Sequence, residues 1–278
     1  MKINYINIDK LKKNTKLYRN ITNMMLIAAS TTLIGCSTPQ QVVETTPRPT
    51  EEPILSAGVE EVFEVVPEIN MEDIVIEQVD ERKIVALTFD DGPSKYTEDL
   101  INVLNENNAT ATFFVIGTNV NRYPETLQFA YESGNEIAVH GYSHTSFSDM
   151  TLEEVQNEID LTRQLVTDCG VECSNLVRPP YGSIDSEIMT NVDATFILWN
   201  VDPEDWKSRD KDAIKEEIIG KINDGDIILF HDLYGPTVEA LAEILPELSS
   251  EYRFVSVSEL FELKELECEE NNKYYMVK

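Results

Sequence analysis

Residues 83–93 read KIVALTFDDGP, and the pattern that begins here continues through most of the remaining chain. The apolar run over 83–89 predicts a buried strand. Two adjacent carboxylates, Asp90 and Asp91, follow at the point where this strand should end. Side chains alternate on an extended chain, so the two carboxylates point in different directions and can take different roles. Taken alone, the Asp-Gly sequence also fits an ordinary turn.

Strands and helices alternate after this stretch. The predicted strands cover 83–89, 110–116, 136–139, 176–177, 194–201, 226–230 and 254–257, and the predicted helices cover 96–106, 124–133, 152–167, 213–222 and 238–248. The sequence TLEE, residues 151–154, resembles a capping box at the start of the longest helix. This alternation predicts an α/β fold with a mostly parallel sheet, open or closed into a barrel. Functional groups in such folds gather in the loops after the strand C-termini.

The first 35 residues have the pattern of a targeting segment. Six basic residues and one acid, Asp9, come before or flank a short apolar run over 24–35. A basic region followed by an apolar run too short to span a bilayer is typical of a secretion signal. The run ends in LIGC, which is similar to the lipobox of bacterial lipoproteins and implies that Cys36 is lipidated and becomes the first mature residue. An uncleaved anchor with an incidental cysteine is the alternative.

Composition divides the chain into four parts. We expect a signal peptide over 1–35, an acidic tether rich in proline and threonine over 36–81, a globular domain over 82–265 and a C-terminal tail over 266–278. The whole chain has a net charge of -29, and loss of residues 1–35 would leave 16 of its 22 basic and 50 of its 51 acidic residues, a net of -34. So acidic a chain is a poor candidate for binding nucleic acid.

Two of the three histidines of the chain follow the third predicted strand. The segment HGYSH places His140 and His144 four residues apart, where they can face one side of a helical turn and share a metal ion. The alternative is one histidine in the core and one on the surface. The third histidine, His231, lies at the end of the strand predicted over 226–230.

An arginine and the tryptophans follow two further strands. RPPYG begins with Arg178, whose guanidinium can form a bidentate pair with a carboxylate. Its two prolines donate no N–H, so the amide of Tyr181 is the first free donor after them. WNVDPEDW, residues 199–206, contains both tryptophans of the chain. A rigid turn and core-anchoring tryptophans are the ordinary alternatives, but all these groups at successive strand ends fit one shared site better than chance placement.

Five of these segments, taken in order, resemble the motifs of the NodB-homology polysaccharide deacetylases, carbohydrate esterase family 4. They are TFDDG, HGYSH, RPPYG, DPEDW and LFH. The resemblance covers about residues 82–262. It implies a distorted (β/α) barrel with mostly parallel strands, in agreement with the alternation above, and an enzyme that hydrolyses acetyl groups from a polysaccharide.

The resemblance also implies a metal site and a set of catalytic groups. The implied ligands of a divalent metal, usually zinc with cobalt as a substitute, are Asp91, His140 and His144. One carboxylate and two imidazoles leave coordination positions open, as a catalytic zinc site requires. The implied catalytic residues are Asp90 as the general base, Arg178 as the partner that keeps Asp90 ionised, His231 as the general acid and Asp205 as the residue that orients His231.

Further implied contacts concern the substrate. The backbone N–H of Tyr181, together with the metal, is implied to stabilise the oxyanion. The implied substrate-binding residues are Trp206 and Leu229 around the acetyl methyl group, with Pro180 and Tyr181. No position of the motif set is missing, which argues against an inactive member. The segments between the motifs are short, which predicts an open groove that suits a polymer.

Three functions fit this set of residues. The first is N-deacetylation of a GlcNAc-type glycan, peptidoglycan or a chitin-like oligomer, and the lipid anchor favours a substrate in the cell envelope. The same residues support an O-acetyl esterase acting on xylan. A non-catalytic glycan-binding lipoprotein is disfavoured by the complete set. We expect a monomer, attached through Cys36 to the outer face of the cytoplasmic membrane or the cell envelope.

The remaining cysteines lie close together or near the C-terminus. Cys169 and Cys173 are separated by three residues, and a disulfide between them is permitted outside the membrane. It would close a very small loop and stabilise the fold little. We predict this bond, with Cys268 unpaired; a pairing with Cys268 and free thiols are the alternatives.

Overall fold

The structure is a computed structural model that describes residues 80–278. The predicted signal sequence, Cys36 and the tether up to residue 79 lie outside the described residues. No helix within 80–278 has the length and apolar character needed to cross a membrane.

Eight strands, nine α-helices and two short 3₁₀ helices, Phe147–Asp149 and Pro180–Gly182, lie in the described part of the chain. The strands are β1 (Lys83–Asp90), β2 (Thr112–Val115), β3 (Glu136–Val139), β4 (Leu176–Val177), β5 (Thr195–Ile197), β6 (Ile227–His231), β7 (Tyr252–Val255) and β8 (Lys273–Tyr274). The helices are α1 (Thr97–Glu106), α2 (Gly117–Val120), α3 (Pro124–Glu132), α4 (Leu152–Asp168), α5 (Ser186–Asn191), α6 (Asp205–Ser208), α7 (Lys211–Ile218), α8 (Gly235–Leu248) and α9 (Val257–Leu263).

The strands form one sheet with the order β6-β1-β2-β3-β4-β5-β8, and β7 pairs with β1. Every pairing between these strands is parallel. An isolated antiparallel bridge joins Asp226, just before β6, to Met276, just after β8, so the two ends of the strand path meet. This arrangement confirms the predicted α/β fold with parallel strands curled into a distorted barrel.

The core forms around β1 because this strand pairs with three others and its apolar side chains are buried on both faces. Phe89 has no exposed surface and stacks on Phe113 of β2 and Phe230 of β6, with ring centroids 5.2 Å and 5.7 Å away. Helix α4 begins at the predicted capping box, in which Thr151 and Glu154 each bond the backbone N–H of the other. The predicted strands and longer helices are present with boundaries shifted by a few residues.

The C-terminal segment 266–278, predicted as a tail, belongs to the fold. Residues 273–274 form β8 beside β5, and the ring of Tyr274 contacts Phe261 at 4.8 Å between centroids. Val277 is 2% exposed, and its N–H donates to the Gly225 carbonyl at 2.8 Å. A two-residue strand has too little periodicity to be recognised in sequence.

Several short helices were also missed. Helices α2 and α6 have four residues each, too few to show a helical period. Helix α9 begins at Val257, the last residue of the strand predicted over 254–257, because Ser256 and Glu259 form a capping box.

The predicted disulfide is wrong, because Cys169, Cys173 and Cys268 are free thiols in the structure. Cys169 follows the last turn of α4, Gly170 then turns the backbone with φ 76°, and Val171 is inserted into the core at 3% exposure. Cys169 and Cys173 each pack against that core. Burial raises the pKa of Cys173 to about 12 and that of Cys268 to about 11, so both thiols stay protonated at neutral pH.

We expect the substitution Phe89→Ala to lower the free energy of unfolding by about 3–5 kcal/mol, because it leaves a cavity between two stacked rings. Urea unfolding followed by circular dichroism measures this loss. Leu266→Ala, at a side chain that is 45% exposed, is the control and should change stability by less than about 0.5 kcal/mol. Similar losses for both variants would contradict the central position of β1 in the core.

Candidate active site

The carboxyl ends of neighbouring parallel strands meet at one edge of the barrel. The register places Asp90 beside His231, the last residues of β1 and β6. His140 directly follows β3, and Arg178 directly follows β4. A cavity of about 400 Å³ opens at this edge. The cavity is lined by Asp90, Asp91, His140, His144, Tyr181, Trp199, Asp202, Trp206, Leu229, His231 and Tyr234.

A buried ion pair lies at the base of the cavity. Asp90 is 3% exposed and Arg178 is fully buried, and Nη1 of the arginine donates to Oδ1 of the aspartate at 2.8 Å. The same nitrogen donates to the Thr88 hydroxyl at 2.7 Å. One oxygen of Asp90 is therefore held by the arginine, and Oδ2 lies on the side of His140, 3.6 Å from its Nε2.

The remaining donors of Arg178 are also satisfied. Its Nε and Nη2 donate to the carbonyls of Ile197 and Leu198, each at 3.0 Å. Its guanidinium lies over the ring of Phe114 at 4.2 Å and near Trp199 at 5.5 Å. Burial lowers the pKa of Arg178 from its usual value, while the charge and hydrogen bond of Asp90 raise it. The geometry is that of a fixed cation whose purpose is to hold one carboxylate.

Asp91, His140 and His144 converge as the predicted metal ligands. Their ligand atoms all lie within 4.8 Å of one another, with Asp91 Oδ1 at 3.5 Å from His140 Nε2 and 3.2 Å from His144 Nε2. Asp91 Oδ1 is buried and has no hydrogen-bond partner among residues 80–278. A buried carboxylate oxygen without a donor, facing two imidazole nitrogens, is the donor set that suits a divalent cation such as zinc. These residues therefore fit the metal that the sequence implied.

The orientation of His140 is fixed by Arg178. His140 Nδ1 lies 2.7 Å from the Arg178 carbonyl oxygen, and because a carbonyl can only accept, this nitrogen carries the proton. The lone pair of His140 is therefore on Nε2, which points at Asp91. Proteins commonly orient a metal-binding histidine through a hydrogen bond from the ring nitrogen that does not bind the metal.

His144 reaches the cluster by a different route from the one predicted. Residues 140–144 form a loop and not a helical turn, and Gly141 and His144 both have left-handed backbones, with φ 83° and 61°. Burial lowers the pKa of His144 from its usual value, and the nearby charge of Asp91 opposes this by raising it. The net lowering favours the neutral imidazole, which is the form that binds a metal.

His231 and Asp205 form the second buried pair of the site. His231 Nδ1 lies 2.8 Å from Asp205 Oδ1, and the backbone N–H of His231 donates to Asp205 Oδ2 at 2.9 Å. The Thr237 hydroxyl also donates to Asp205 Oδ2, at 2.8 Å, so the carboxylate is locked in place. His231 Nε2 has no hydrogen-bond partner among residues 80–278, and the ring lines the cavity.

This pair makes His231 a proton carrier at neutral pH. Burial lowers the pKa of His231, but the hydrogen bond and charge of Asp205 outweigh it and raise the pKa to about 9. The pair therefore stabilises the folded protein fully below about pH 6.5, the ordinary pKa of histidine, and this contribution is lost as pH rises through about 9.

Tyr181 provides a free backbone donor at the rim. Its N–H makes no hydrogen bond within the described part of the chain, while the following Gly182 N–H bonds the Pro179 carbonyl at 2.9 Å. Tyr181 has a left-handed backbone with φ 60°, and its ring, 70% exposed, stands edge-on to His144 at 4.7 Å. Pro180 is buried beneath this turn and is not among the residues that line the cavity.

The remaining predicted substrate contacts, Leu229 and Trp206, also line the cavity. Leu229 is 3% exposed on β6, and Trp206 is 45% exposed on α6. Helix α6 is short and is flanked by two left-handed residues, Glu204 with φ 51° and Arg209 with φ 47°. These bends turn α6 so that Asp205 is buried against His231 while its neighbour Trp206 faces the cavity.

Gly92 explains why glycine follows the two carboxylates. A Cβ atom at this position would lie 2.1 Å from Oδ2 of Asp232, a fully buried side chain whose Oδ1 has no partner among residues 80–278. Burial raises the pKa of Asp232 to about 7. The loop after β1 can therefore pass over Asp232 only without a side chain at position 92.

Sequence reasoning did not find several residues that support the site. Thr88 and Thr237 hold its two ion pairs, and both are ordinary threonines in sequence. Asp202 lines the cavity, and burial raises its pKa. Tyr234 lines it too, with its ring 6.2 Å from that of His231. The fifth, Glu158, bonds the loop between the two metal-cluster histidines, and its only signal in sequence is an acid on the buried face of α4.

Comparison with known proteins places these features in a family. A family model described as polysaccharide deacetylase matches residues 77–195. The peptidoglycan-N-acetylmuramic acid deacetylase PdaC of Bacillus subtilis is 38% identical over 185 residues, which cover 66% of this chain and 40% of PdaC. The chain thus spans about two fifths of the length of that relative. A solved structure of PdaC aligns with a TM-score of 0.64 and covers 66% of this chain and 93% of that one.

Two further relatives extend the comparison. A family 4 acetyl xylan esterase from Clostridium thermocellum, solved in complex with a cobalt ion, aligns with a TM-score of 0.66 at 32% identity and covers 70% of this chain and 99% of that one. A peptidoglycan-N-acetylglucosamine deacetylase of Bacillus cereus is 38% identical over 192 residues, which cover 66% of this chain and 90% of the relative. The chain therefore belongs to the polysaccharide deacetylase family.

Proposed function

We propose that this protein is a metal-dependent hydrolase that removes N-acetyl groups from an amino-sugar glycan of the cell envelope, with peptidoglycan as the first candidate. The observation that carries the proposal is the meeting, in one cavity, of an Asp-His-His cluster, a carboxylate fixed by an arginine and a histidine that carries a proton at neutral pH. The names of the relatives PdaC and the Bacillus cereus deacetylase favour peptidoglycan as the substrate.

The metal is assigned to Asp91, His140 and His144, and zinc suits this set of one carboxylate and two imidazoles. A divalent ion held there would polarise the acetyl carbonyl and lower the pKa of a water molecule. Cobalt is the second candidate, since the Clostridium thermocellum relative was solved with that ion.

The proton transfers are assigned to Asp90 and His231, the paired last residues of β1 and β6. Asp90, with one oxygen held by Arg178, uses its other oxygen as the general base that takes a proton from the attacking water. His231 donates its Nε2 proton to the departing sugar nitrogen, and Asp205 keeps the ring in the orientation required. The first pair holds one oxygen of the base in place, and the second keeps the acid protonated at neutral pH.

The acetyl group is assigned to the space between Tyr181 and Trp206. The unpaired N–H of Tyr181 donates to the carbonyl oxygen as negative charge develops on it, an effect worth about 10²–10³ in rate. Trp206 and Leu229 offer an apolar wall for the methyl group.

Anchoring through Cys36 would keep the enzyme, acting as a monomer, at the outer face of the cytoplasmic membrane or in the cell envelope. The support is the sequence pattern of residues 1–36. An enzyme tethered there meets peptidoglycan directly, whereas xylan lies outside the cell. The second candidate, O-deacetylation of xylan, is supported by the acetyl xylan esterase relative.

We expect the full-length protein to release acetate from peptidoglycan or chitin oligomers in preference to acetylated xylan. A chelator should abolish the release, and zinc or cobalt should restore it, because the Asp-His-His cluster needs a cation to act. Acetate release, measured on the three polymers side by side, tests this.

The matched control is His144→Ala, which should retain less metal by elemental analysis and release no acetate. Faster release from xylan would select the esterase. No release from any polymer by protein that demonstrably contains metal would contradict the proposed function.

We expect Asp205→Asn to move the alkaline limb of the pH profile of kcat/KM down by about 2 units. Only protonated His231 can act as the acid, so activity should fall as pH rises through about 9 in the wild type. Asparagine removes the charge that raises this pKa, and the limb then moves toward the ordinary histidine value near pH 6.5.

The comparison variant is Glu204→Gln, which removes an exposed charge from the same loop and should leave the limb in place. An alkaline limb that is identical in the wild type and in Asp205→Asn would show that another group is the acid.

A further inference from the structure

We propose that Glu158 is a positioning residue that holds the loop between His140 and His144 in the shape that binds the metal. This inference rests on the proposed function, because the metal is part of it. Glu158 lies on α4, outside the cavity, and none of the five sequence segments of the site includes it.

The carboxylate of Glu158 bonds the loop at three points. Its Oε2 accepts hydrogen bonds from the backbone N–H groups of Tyr142 and Ser143, each at 2.8 Å, and from the Ser143 hydroxyl at 3.1 Å. Glu158 is only 8% exposed, and no Lys, Arg or His among residues 80–278 lies within ion-pair distance of it. Its charge is therefore compensated by the loop itself, through bonds of the stronger, charge-assisted kind.

The opposite side of the same loop is bonded to α2. The carbonyl oxygens of Gly141 and Tyr142 accept from the N–H groups of Gly117 and Thr118, at 3.0 Å and 3.1 Å. The loop is thus clamped between two helices, with its carbonyls directed to α2 and its N–H groups to α4. Glu158 supplies the whole of the second clamp.

The loop packs closely against both helices at two glycines. Gly141 has φ 83°, and a Cβ atom there would lie 3.3 Å from Glu158 Oε2 and 3.3 Å from the ring of Phe147. A Cβ atom at Gly117 would lie 2.5 Å from the ring of Tyr142. Both glycines therefore allow the close approach of the loop to its two helices.

The clamp matters for the metal because His140 and His144 are fixed unequally. His140 continues from β3 and is oriented by the Arg178 carbonyl. The His144 ring has no such bond within the described residues; its Nε2 lies 3.2 Å from Asp91 Oδ1, and the ring lies near those of His140 and Tyr181. The position of His144 therefore depends on the backbone of residues 141–143, which Glu158 holds. Supporting residues of this kind typically contribute a factor of about 10–100 to metal affinity.

Two conservative variants separate the length of the side chain from its charge. Glu158→Asp keeps the charge but shortens the side chain by one methylene, so it cannot reach the loop. Glu158→Gln keeps the length and one carbonyl oxygen that can accept the same N–H bonds. We expect the zinc dissociation constant to rise by about 10-fold or more in Glu158→Asp and by clearly less in Glu158→Gln.

The measurement is competition for zinc against a chromophoric chelator, with the full-length protein and no substrate. Glu153→Gln, an exposed acid on the same helix, is the control and should bind zinc like the wild type. The visible spectrum of the cobalt form and amide exchange at Tyr142 and Ser143 report the geometry of the site and the loop independently of stability. Both should change in Glu158→Asp while the melting temperature shows that the protein remains folded.

Zinc affinity that is equal in the wild type and Glu158→Asp would overturn the inference and leave the proposed function intact. A larger loss of zinc affinity in Glu158→Gln than in Glu158→Asp would also overturn the inference. The charge of the side chain, and not its length, would then determine the affinity. A wild type that binds no zinc or cobalt would overturn the metal-dependent function together with this inference.

Discussion

A guanidinium with no exposed surface lies against the carboxylate of Asp90 at the end of the central strand, and the rest of the site is built around this contact. Arg178, which directly follows β4, bonds residues of β1 and β5 and lies over Phe114 of β2. Removing one partner of such a buried pair costs about 3–5 kcal/mol, because the other charge is left without compensation. The same residue uses its carbonyl to orient His140, so Asp90 and the Asp-His-His cluster share one support.

Around this rigid centre the backbone adopts left-handed conformations that residues other than glycine rarely adopt. Asp91, His144 and Tyr181 all have left-handed φ angles, between 60° and 73°, and all three point functional atoms into the cavity. Conformations of this kind cost about 1–3 kcal/mol each and persist only where the surroundings impose them. The surroundings here are the parallel ladders, the buried pairs and the clamp on residues 141–143. Strained backbone conformations thus lower the stability of the fold while they bring groups from four strand ends together.

The two ion pairs, Arg178–Asp90 and His231–Asp205, have different effects because their charged partners differ. Arg178 is a cation whose Nη1 donates to Asp90 Oδ1 and holds that carboxylate in place. Asp205 is a buried anion and makes His231 the better proton holder, with a pKa of about 9. One cavity therefore contains both a carboxylate bonded to an arginine and a histidine that carries a proton at neutral pH.

Much of this site could be predicted from the sequence because its polar residues interrupt apolar runs at the ends of strands. Asp90, Arg178 and His231 each stand directly at such an end, where parallel strands bring them to one edge. The left-handed loop at His144 could not be predicted in this way, since it depends on contacts with α2 and α4. Glu158 was hidden for the same reason: inside an amphipathic helix a buried acid is recognised only when its partners are known.

The predictions for the C-terminal segment and for the cysteines were wrong for other physical reasons. β8 has two residues, and it is held by pairing with β5 and by the burial of Val277 rather than by its own periodicity. Cys169 and Cys173 are near in sequence, but the chain between them inserts Val171 into the core, which a count of intervening residues does not reveal.

The central claim, that the Arg178–Asp90 pair organises the site, is tested most directly by a double-mutant cycle on the free energy of unfolding. Arg178→Met and Asp90→Asn should each cost about 3–5 kcal/mol, and the double variant should cost less than their sum by about 2–3 kcal/mol, because the second substitution removes the charge that the first leaves unpaired. Effects that add within about 0.5 kcal/mol would contradict the claim, since the two residues would then stabilise the protein independently.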